Sequence, residues 1–261
     1  MTFATWQDLY RSDLQSVAAI VIVPLLFLLH LAWSTRNERG VPGIVPAAAR
    51  FVRAWATVFA LMTIVDPLAT GPVVRALGIG DAPAGTAVLL TFVLLGDFRV
   101  YLLLFTLMTH AGARHDARVA DPVYATRDAI RVVPPRAAAA ALLVTLVVPL
   151  VTLAVDGALR ARHPELPGQT IWLVYELTFL VIAVVLRQLV VPARVPATEP
   201  RLRGYLRSVL AYVVAYYALW AAADVVILAG FDQGWALRML PNQLYYAFFV
   251  PFAYFSFFAR R

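Results

Sequence analysis

The sequence predicts an all-α integral membrane protein: a bundle of seven transmembrane helices with its N-terminus outside the cytoplasm and its C-terminus inside. Hydrophobic residues make up 62% of the 261 positions and charged residues only 14%, and the mean hydropathy is +0.76. Soluble domains are about 45–50% apolar and about 25% charged. The apolar residues also form seven stretches, each long enough to cross the roughly 30 Å hydrocarbon core of a bilayer as a helix.

The seven predicted spans follow one another with short connections, so the chain is expected to form one membrane domain over residues 1–261. They are residues 16–33, 52–70, 84–109, 137–155, 171–191, 205–229 and 240–259. Glycine and proline punctuate the connections, as in Gly40-Val41-Pro42-Gly43 and Pro134-Pro135, which is typical of loops.

Residues 1–14 precede the first span and are expected to form an interfacial leader. Phe3, Trp6 and Tyr10 recur at helical spacing, so a short helix lying in the outer interface is predicted. The alternative is a cleaved signal peptide. The segment carries Asp8 and Asp13 beside Arg11 instead of the positive cluster that a signal peptide needs.

The second span is interrupted by Asp66-Pro67 and Gly71-Pro72. Proline lacks a backbone donor, so Pro67 would free the carbonyl of Thr63 and kink or break the helix. Broken helices at membrane depth often line transporter binding sites, and an acid beside free carbonyls is a candidate cation or proton site. The alternative is that the helix simply ends there.

The third span carries Asp97 and Arg99 near its middle. Residues two apart are about 200° apart around a helix, so the two side chains cannot pair with each other. Each needs a partner on another helix, and Asp66 is the leading candidate for Arg99. Ionisable groups at this depth are costly and are usually functional. The alternative is that an Asp66–Arg99 bridge only fastens two helices together.

The fifth and sixth spans carry Glu176 and Asp224, both expected in the outer third of the membrane. Together with Asp66 and Asp97 they place several acids in the outer half of the bundle. Either acid could instead contact interfacial water without a function.

The seventh span is rich in aromatic residues, with a more polar stripe at helical spacing that includes Asn242, Gln243 and Tyr246. We expect this stripe to face the bundle. With tyrosines and Trp220 of the sixth span it would wall a pocket for an apolar or aromatic ligand. The alternative is an ordinary set of lipid-facing aromatic side chains.

The orientation follows from the arginines. All 22 basic residues are arginine; fifteen fall in one set of alternate loops and five in the other, with Arg99 and Arg187 inside spans. Cytoplasmic loops carry the excess of positive charge, so the first set is assigned to the cytoplasm and the N-terminus lies outside. A bacterial cytoplasmic membrane is the expected location. The same assignment explains the net charge of +7 without nucleic acid as a partner.

Several kinds of chemistry are excluded by residue usage. The chain has no cysteine, which excludes disulfides and thiolate metal sites. It has no lysine either, which excludes a Schiff base. The four histidines are too far apart in the sequence to form a metal site on one helix face. No catalytic residue, metal or cofactor is therefore assigned, and an enzyme is the less favoured class.

The leading functional hypothesis is a transporter of a small solute or ion, with proton coupling as one option. In it Asp66 and Asp97 are protonatable or cation-binding groups, and Arg99 is their counter-ion or a contact for an anion. The alternative is a seven-helix receptor that binds an apolar or lipid ligand among the last two spans. A third class is a lipid-modifying enzyme. Membrane lipids and an unidentified small molecule or ion are the expected partners.

Overall fold

The computed structural model describes residues 4–34, 46–80, 82–119 and 133–259, and these residues form helices without any strand. Phe3 of the predicted leader lies outside the described residues, as does 120–132 of the loop after the third span. We number the helices α1 to α8, so that the first predicted span corresponds to α2 and the seventh to α8. Four of the eight helices are regular throughout. They are α1 (Trp6–Arg11), α4 (Pro83–Val119), α5 (Pro135–Arg162) and α7 (Pro200–Leu228).

The other four helices each contain one π-helical turn, in which the regular hydrogen-bond ladder is disrupted. Helix α2 comprises Leu14–Ala18 as a π turn and Ala19–Trp33. Helix α3 comprises Pro46–Leu68, the π turn Ala69–Val73 and Val74–Ala76. Helix α6 comprises Gln169–Val185, the π turn Leu186–Val190 and Val191–Arg194. Helix α8 comprises Gln233–Asn242, the π turn Gln243–Phe248 and Phe249–Ala259.

Six helices of the described chain, α2 to α7, are long and apolar enough to cross a membrane. They coincide with the first six predicted spans, and this supports an integral membrane protein. The seventh predicted span lies within α8, which is helical from Gln233 to Ala259. Its tyrosines, Asn242 and Gln243 lower its mean hydropathy, so α8 is not among the six.

Of the predicted kink or break near Asp66-Pro67, a break does not occur, and the alternative that the helix ends there is wrong. The α-helical hydrogen-bond pattern continues through Pro67 to Leu68, and the chain stays helical to Ala76. The irregularity is the π turn Ala69–Val73, which contains Pro72. A π turn accommodates a missing proline donor by shifting the ladder instead of ending the helix.

Helices α7 and α4 are the most enclosed of the six. In their apolar 18-residue stretches 44% and 39% of the residues are buried, against 22% in those of α2 and α5. Helix α7 packs against α6 on one side and α8 on the other, while α4 packs against α5 and α3. The outer surfaces of α2 and α5 carry exposed leucines, such as Leu26 and Leu143, as expected for side chains facing lipid. Functional polar groups are therefore expected on α4, α7 and their direct neighbours.

Helix α1 packs against the beginning of α8. A capping box between Thr5 and Asp8 starts this helix. The backbone N–H groups of Trp6 and Gln7 donate to the carboxylate of Asp232, at 2.7 and 3.3 Å. Asp232 directly precedes α8 yet makes no side-chain hydrogen bond to that helix; its carboxylate satisfies free donors at the start of α1 instead. The leader is thus docked on the bundle.

Candidate functional site

Two cavities of about 320 and 310 Å³ adjoin at the end of the bundle where α1 lies. We call the larger one, which contains Asp97 and Glu176, the main cavity, and the smaller one, which contains Asp66, the side cavity. Four residues line both of them and form the shared wall: Tyr10, Arg11, Asn242 and Tyr246.

The main cavity combines a few polar groups with many aromatic rings. The polar side chains are Asp97, Glu176, Arg238, Gln169 and Asn242, joined by Arg11 from α1. The aromatic side chains are Tyr10, Trp172, Tyr175, Tyr217, Trp220, Trp235, Tyr245 and Tyr246. Ligand pockets typically have about 300–1,000 Å³ and a few convergent polar groups among apolar walls, so the main cavity has the features of a site for a small ligand.

Asp97 is only 1% exposed, and its carboxylate lies in the wall of the main cavity. Its Oδ1 accepts a hydrogen bond from the hydroxyl of Tyr217 on α7, at 2.8 Å. Its Oδ2 has no hydrogen-bond partner in the described part of the chain. A buried carboxylate oxygen without a partner is costly, so a donor on a ligand that reached this oxygen would stabilise it.

The backbone beside Asp97 is approached closely by Tyr245 of α8. A methyl group at Gly96 would coincide with the hydroxyl of Tyr245, so only glycine allows α8 to come this near to α4. Tyr245 itself lines the main cavity. The glycine therefore sets the position of one cavity wall.

Arg99 does not form the predicted salt bridge with Asp66. Its Nη1 donates to the hydroxyl of Thr63, one turn before Asp66, at 3.2 Å, and its Nη2 donates to the carbonyl of Tyr245 at 2.6 Å. Its guanidinium also lies over the rings of Tyr245 and Phe249, at 4.3 and 5.1 Å from their centroids. Arg99 is 1% exposed and lines neither cavity. The prediction that it needs a partner on another helix is correct, but the partners are neutral.

The π turn of α8 explains why a carbonyl is free to bind Arg99. Within Gln243–Phe248, two consecutive carbonyls accept hydrogen bonds from side chains of other helices. Leu244 accepts from the hydroxyl of Tyr212 at 3.0 Å, and Tyr245 accepts from Arg99. Inside a membrane such carbonyls need protein partners because water is absent.

Asp66 is 6% exposed and lines the side cavity together with Pro67, Thr70 and Arg75. The hydroxyl of Thr70 donates to the backbone carbonyl of Asp66 at 2.8 Å and lies 3.4 Å from its Oδ1. Asp66 and Asp97 therefore occupy different, adjoining cavities.

Glu176 and Asp224 share one partner, Arg238 of α8. Arg238 Nη2 lies 3.3 Å from Glu176 Oε1, and Nη1 pairs with Asp224 Oδ1. Gln169 donates to Asp224 Oδ2 at 2.9 Å. All three charged side chains are buried. Both acids are therefore paired with an arginine inside the bundle. Glu176 also lines the main cavity, and its Oε2 has no partner among the described residues; Asp224 lines neither cavity.

The stripe on α8 contributes to the site only in part. Asn242 and Tyr246 line both cavities, and Asn242 Oδ1 is 3.5 Å from the hydroxyl of Tyr10. Gln243 lines neither. On α7, the aromatic residues Tyr217 and Trp220 line the main cavity. Tyr212 instead stacks on Phe252, and Tyr216 meets Phe249 edge to face.

Arg238 is the main residue that sequence reasoning missed. The predicted seventh span began at residue 240, which left Arg238 in a loop, whereas α8 begins two turns earlier at Gln233. The aromatic residues Trp172, Tyr175 and Trp235 were also missed, because each stands near a span end, where membrane proteins often place aromatic residues. Tyr10 and Arg11 belong to the leader and gave no signal for a cavity.

No group of three or more histidine or acidic side chains suited to a metal ion occurs within the described ranges. The chain matches no protein-family model, and no curated protein or solved structure shows significant similarity to it. The functional argument therefore rests on the geometry of the two cavities.

Proposed function

We propose that this protein is a membrane transporter of a small solute and that the main cavity is its solute-binding site. One observation carries the proposal: Asp97 lies buried in the cavity wall, makes no salt bridge with a described residue, and has one carboxylate oxygen, Oδ2, without a hydrogen-bond partner among the described residues. An ionisable group inside a membrane bundle costs several kilocalories per mole unless it is paired or solvated. A carboxylate kept there only for structure would be paired, as Asp224 is with Arg238.

In this proposal α8 is the seventh span and the N-terminus is outside, as the arginine distribution favours. The cavities then face the outside, because they lie beside α1 and the first turns of α6 and α8. Arg75, at the end of α3, lines the side cavity as well. The proposed state is therefore an outward-facing one in the cytoplasmic membrane of a bacterium.

The two acids Asp97 and Asp66 have different roles in this mechanism. Asp97 contacts the solute in the main cavity, and Asp66 exchanges protons in the side cavity. The shared wall, which includes Tyr246 and Asn242, separates them. Proton and solute would thus bind in adjoining compartments, so that occupation of one changes the wall of the other.

The proposal is tested by flux into proteoliposomes that contain a pH-sensitive dye. Sugars, amino acids, organic ammonium ions, carboxylic acids and alkali-metal ions are added in turn across a pH gradient. We expect one class to drive proton movement and Asp97→Asn and Asp66→Asn to abolish it. The matched control is Glu165→Gln, which changes an exposed acid outside both cavities and should leave the flux unchanged. The same flux in Asp97→Asn as in wild type, or no flux beyond that of empty liposomes, would overturn the proposal.

The aromatic walls of the main cavity favour a second candidate, a receptor for an apolar ligand. The two functions differ in what Tyr246→Ala does. For a receptor, stabilisation by an aromatic probe such as indole would be lost in Tyr246→Ala and unaffected by Asp97→Asn, with no solute flux in wild type.

The orientation is tested by labelling, because the chain has no cysteine. Single cysteines at Glu165 and Ala197, both exposed and in successive loops, report opposite sides of the membrane. With a membrane-impermeant maleimide and intact cells, Glu165→Cys should react and Ala197→Cys should not. The reverse pattern would contradict the N-outside topology.

A further inference from the structure

We infer that the main cavity binds an organic ammonium ion, whose positive charge lies between the aromatic rings and the carboxylates of Asp97 and Glu176. This inference rests on the proposed function, since it assigns a solute class to the same site. It stands on three observations: the free carboxylate oxygens, the aromatic walls and the charge balance around Arg238.

The free carboxylate oxygens belong to the two acids of the cavity wall. Asp97 Oδ2 and Glu176 Oε2 are buried without a hydrogen-bond partner among the described residues. Asp97 is 1% exposed and Glu176 is 3% exposed. An ionised carboxylate accepts hydrogen bonds and cannot donate them. The ligand group that fits the ionised acids is therefore a donor or a cation.

The aromatic walls bind a cation better than an anion. The face of an aromatic ring is negative, and several such faces form the cages that recognise quaternary ammonium groups. Eight aromatic side chains line this cavity. The molecule already uses rings in this way, since Arg99 lies over Tyr245 at 4.3 Å and Arg11 lies over Trp235 at 5.4 Å.

The charge balance around Arg238 itself is negative. This arginine is shared by Glu176 and Asp224, so one positive charge faces two negative ones, and Asp97 adds a third without a salt bridge. Arg11 also lines the cavity, but it is exposed and lies on α1 against Trp235. Arg99, two residues from Asp97, lines neither cavity. An anionic ligand would add to the excess of negative charge around Arg238, whereas a monocation would compensate it.

An inorganic cation would also be attracted by the carboxylates, but the aromatic walls do not supply the oxygen ligands that it needs. Hard metal ions need about six oxygen ligands, and no suitable group of three acidic or histidine side chains occurs in the described ranges. The cavity of about 320 Å³ is at the small end of ligand pockets. It matches a compact ion such as a tetraalkylammonium or a hydroxyalkylammonium.

Two donors of the cavity residues could bind an oxygen on the same ligand. Trp220 Nε1 and the hydroxyl of Tyr175 have no hydrogen-bond partner among the described residues, and they would donate to that oxygen.

The experiment measures binding to the full chain in lipid nanodiscs by quenching of tryptophan fluorescence, because Trp172, Trp220 and Trp235 line the cavity. The probes are tetramethylammonium, choline and the neutral alcohol in which carbon replaces the choline nitrogen. We expect choline to bind at least about tenfold more tightly than the neutral alcohol, given the strength of desolvated cation–π and charge contacts. Asp97→Asn and Trp220→Leu should each weaken choline binding by about tenfold or more, and Glu165→Gln should not.

Equal binding of choline and the neutral alcohol would overturn the inference, and so would the absence of binding by both ammonium probes. These results are distinct from failure of the proposed function. Asp97-dependent flux of another solute class, without choline binding, would overturn only the inference. Choline binding with the stated discrimination, but without flux of any solute in proteoliposomes, would overturn only the transporter.

Discussion

Two buried arginines of the described bundle, Arg238 and Arg99, are held in different ways. Arg238 lies between the carboxylates of Glu176 and Asp224, which come from two other helices. Arg99 is bound instead by a hydroxyl, a backbone carbonyl and two aromatic rings. Asp97, two residues before Arg99 on the same helix, accepts a hydrogen bond from the hydroxyl of Tyr217 through Oδ1. Its Oδ2 has no hydrogen-bond partner among the described residues.

The difference separates the ion-paired cluster, of which Glu176 also lines the main cavity, from Asp97. Arg238 joins α6, α7 and α8 through the two acids, and removing it leaves both of them buried and unpaired. Around Asp97 and Arg99 the charges are held by neutral groups, which position them without cancelling them. Of the two, Asp97 lines the main cavity and Arg99 lines neither cavity, so the charge that we assign to ligand binding is that of Asp97.

The largest effect is expected from Arg238→Met, which leaves Glu176 and Asp224 buried without their cation. Breaking a buried ion pair on one side costs about 3–5 kcal/mol. The unfolding temperature in nanodiscs should therefore fall sharply.

Arg75→Met is the control for this variant, because the pair that it removes, Arg75 with Asp13, is exposed and is worth less than about 1 kcal/mol. The structural role of the Arg238 cluster would be refuted by equal losses in the two variants.

A smaller effect is expected from Gly96→Ala, whose new methyl group would displace the hydroxyl of Tyr245. Overpacking of this kind costs about 1–3 kcal/mol. It should also weaken binding in the main cavity, because Tyr245 is part of its wall.

The control is Gly112→Ala on the same helix, whose new methyl group has no neighbouring atom within 4 Å. It should be neutral or stabilising, since alanine is favoured over glycine in helices by about 0.5–1 kcal/mol. Thermal unfolding and choline titration measure both variants, and a Gly96→Ala protein indistinguishable from Gly112→Ala would contradict the close approach of α8.

The smallest effect on stability is expected from Asp232→Ala, which removes the acceptor for the N–H groups of Trp6 and Gln7. A hydrogen bond to a charged group contributes about 1.5–3 kcal/mol at most, and this one is partly solvated. The effect should therefore be local: faster amide hydrogen exchange in α1, with an almost unchanged unfolding temperature. In Glu165→Ala, exchange in α1 should stay as in wild type. Unchanged exchange in Asp232→Ala would mean that Asp232 does not hold the leader.

Local geometry made part of this arrangement predictable. The helix period alone showed that Asp97 and Arg99 point to different neighbours, and the hydropathy of the chain located six helices that are long and apolar enough to span. The partners were not predictable, because they depend on how far each helix extends and at what depth its residues meet. Arg99 meets Thr63 instead of Asp66, one turn away on the same helix.

Helix ends were the other limit of the sequence. Hydropathy places a boundary where polar residues begin, but α8 extends toward the N-terminus through Arg238 to Gln233. Acids on neighbouring helices pair with that arginine. The π turns could not be predicted from the sequence either, because they depend on contacts with other helices. The turn in α8 is accompanied by donors from Tyr212 and Arg99, which lie far away in the sequence.

The most direct test of the difference between binding site and structural cluster is the unfolding temperature of Asp97→Asn against that of Asp224→Asn, measured in the same nanodiscs. Asparagine at position 97 keeps an acceptor for Tyr217 and removes a buried charge that has no salt bridge. We therefore expect its unfolding temperature to stay the same or rise, although flux and choline binding are lost. Asp224→Asn should lower the unfolding temperature because it removes a partner of Arg238. A fall in Asp97→Asn as large as that in Asp224→Asn would show that Asp97 is a structural residue and would contradict its assignment to the binding site.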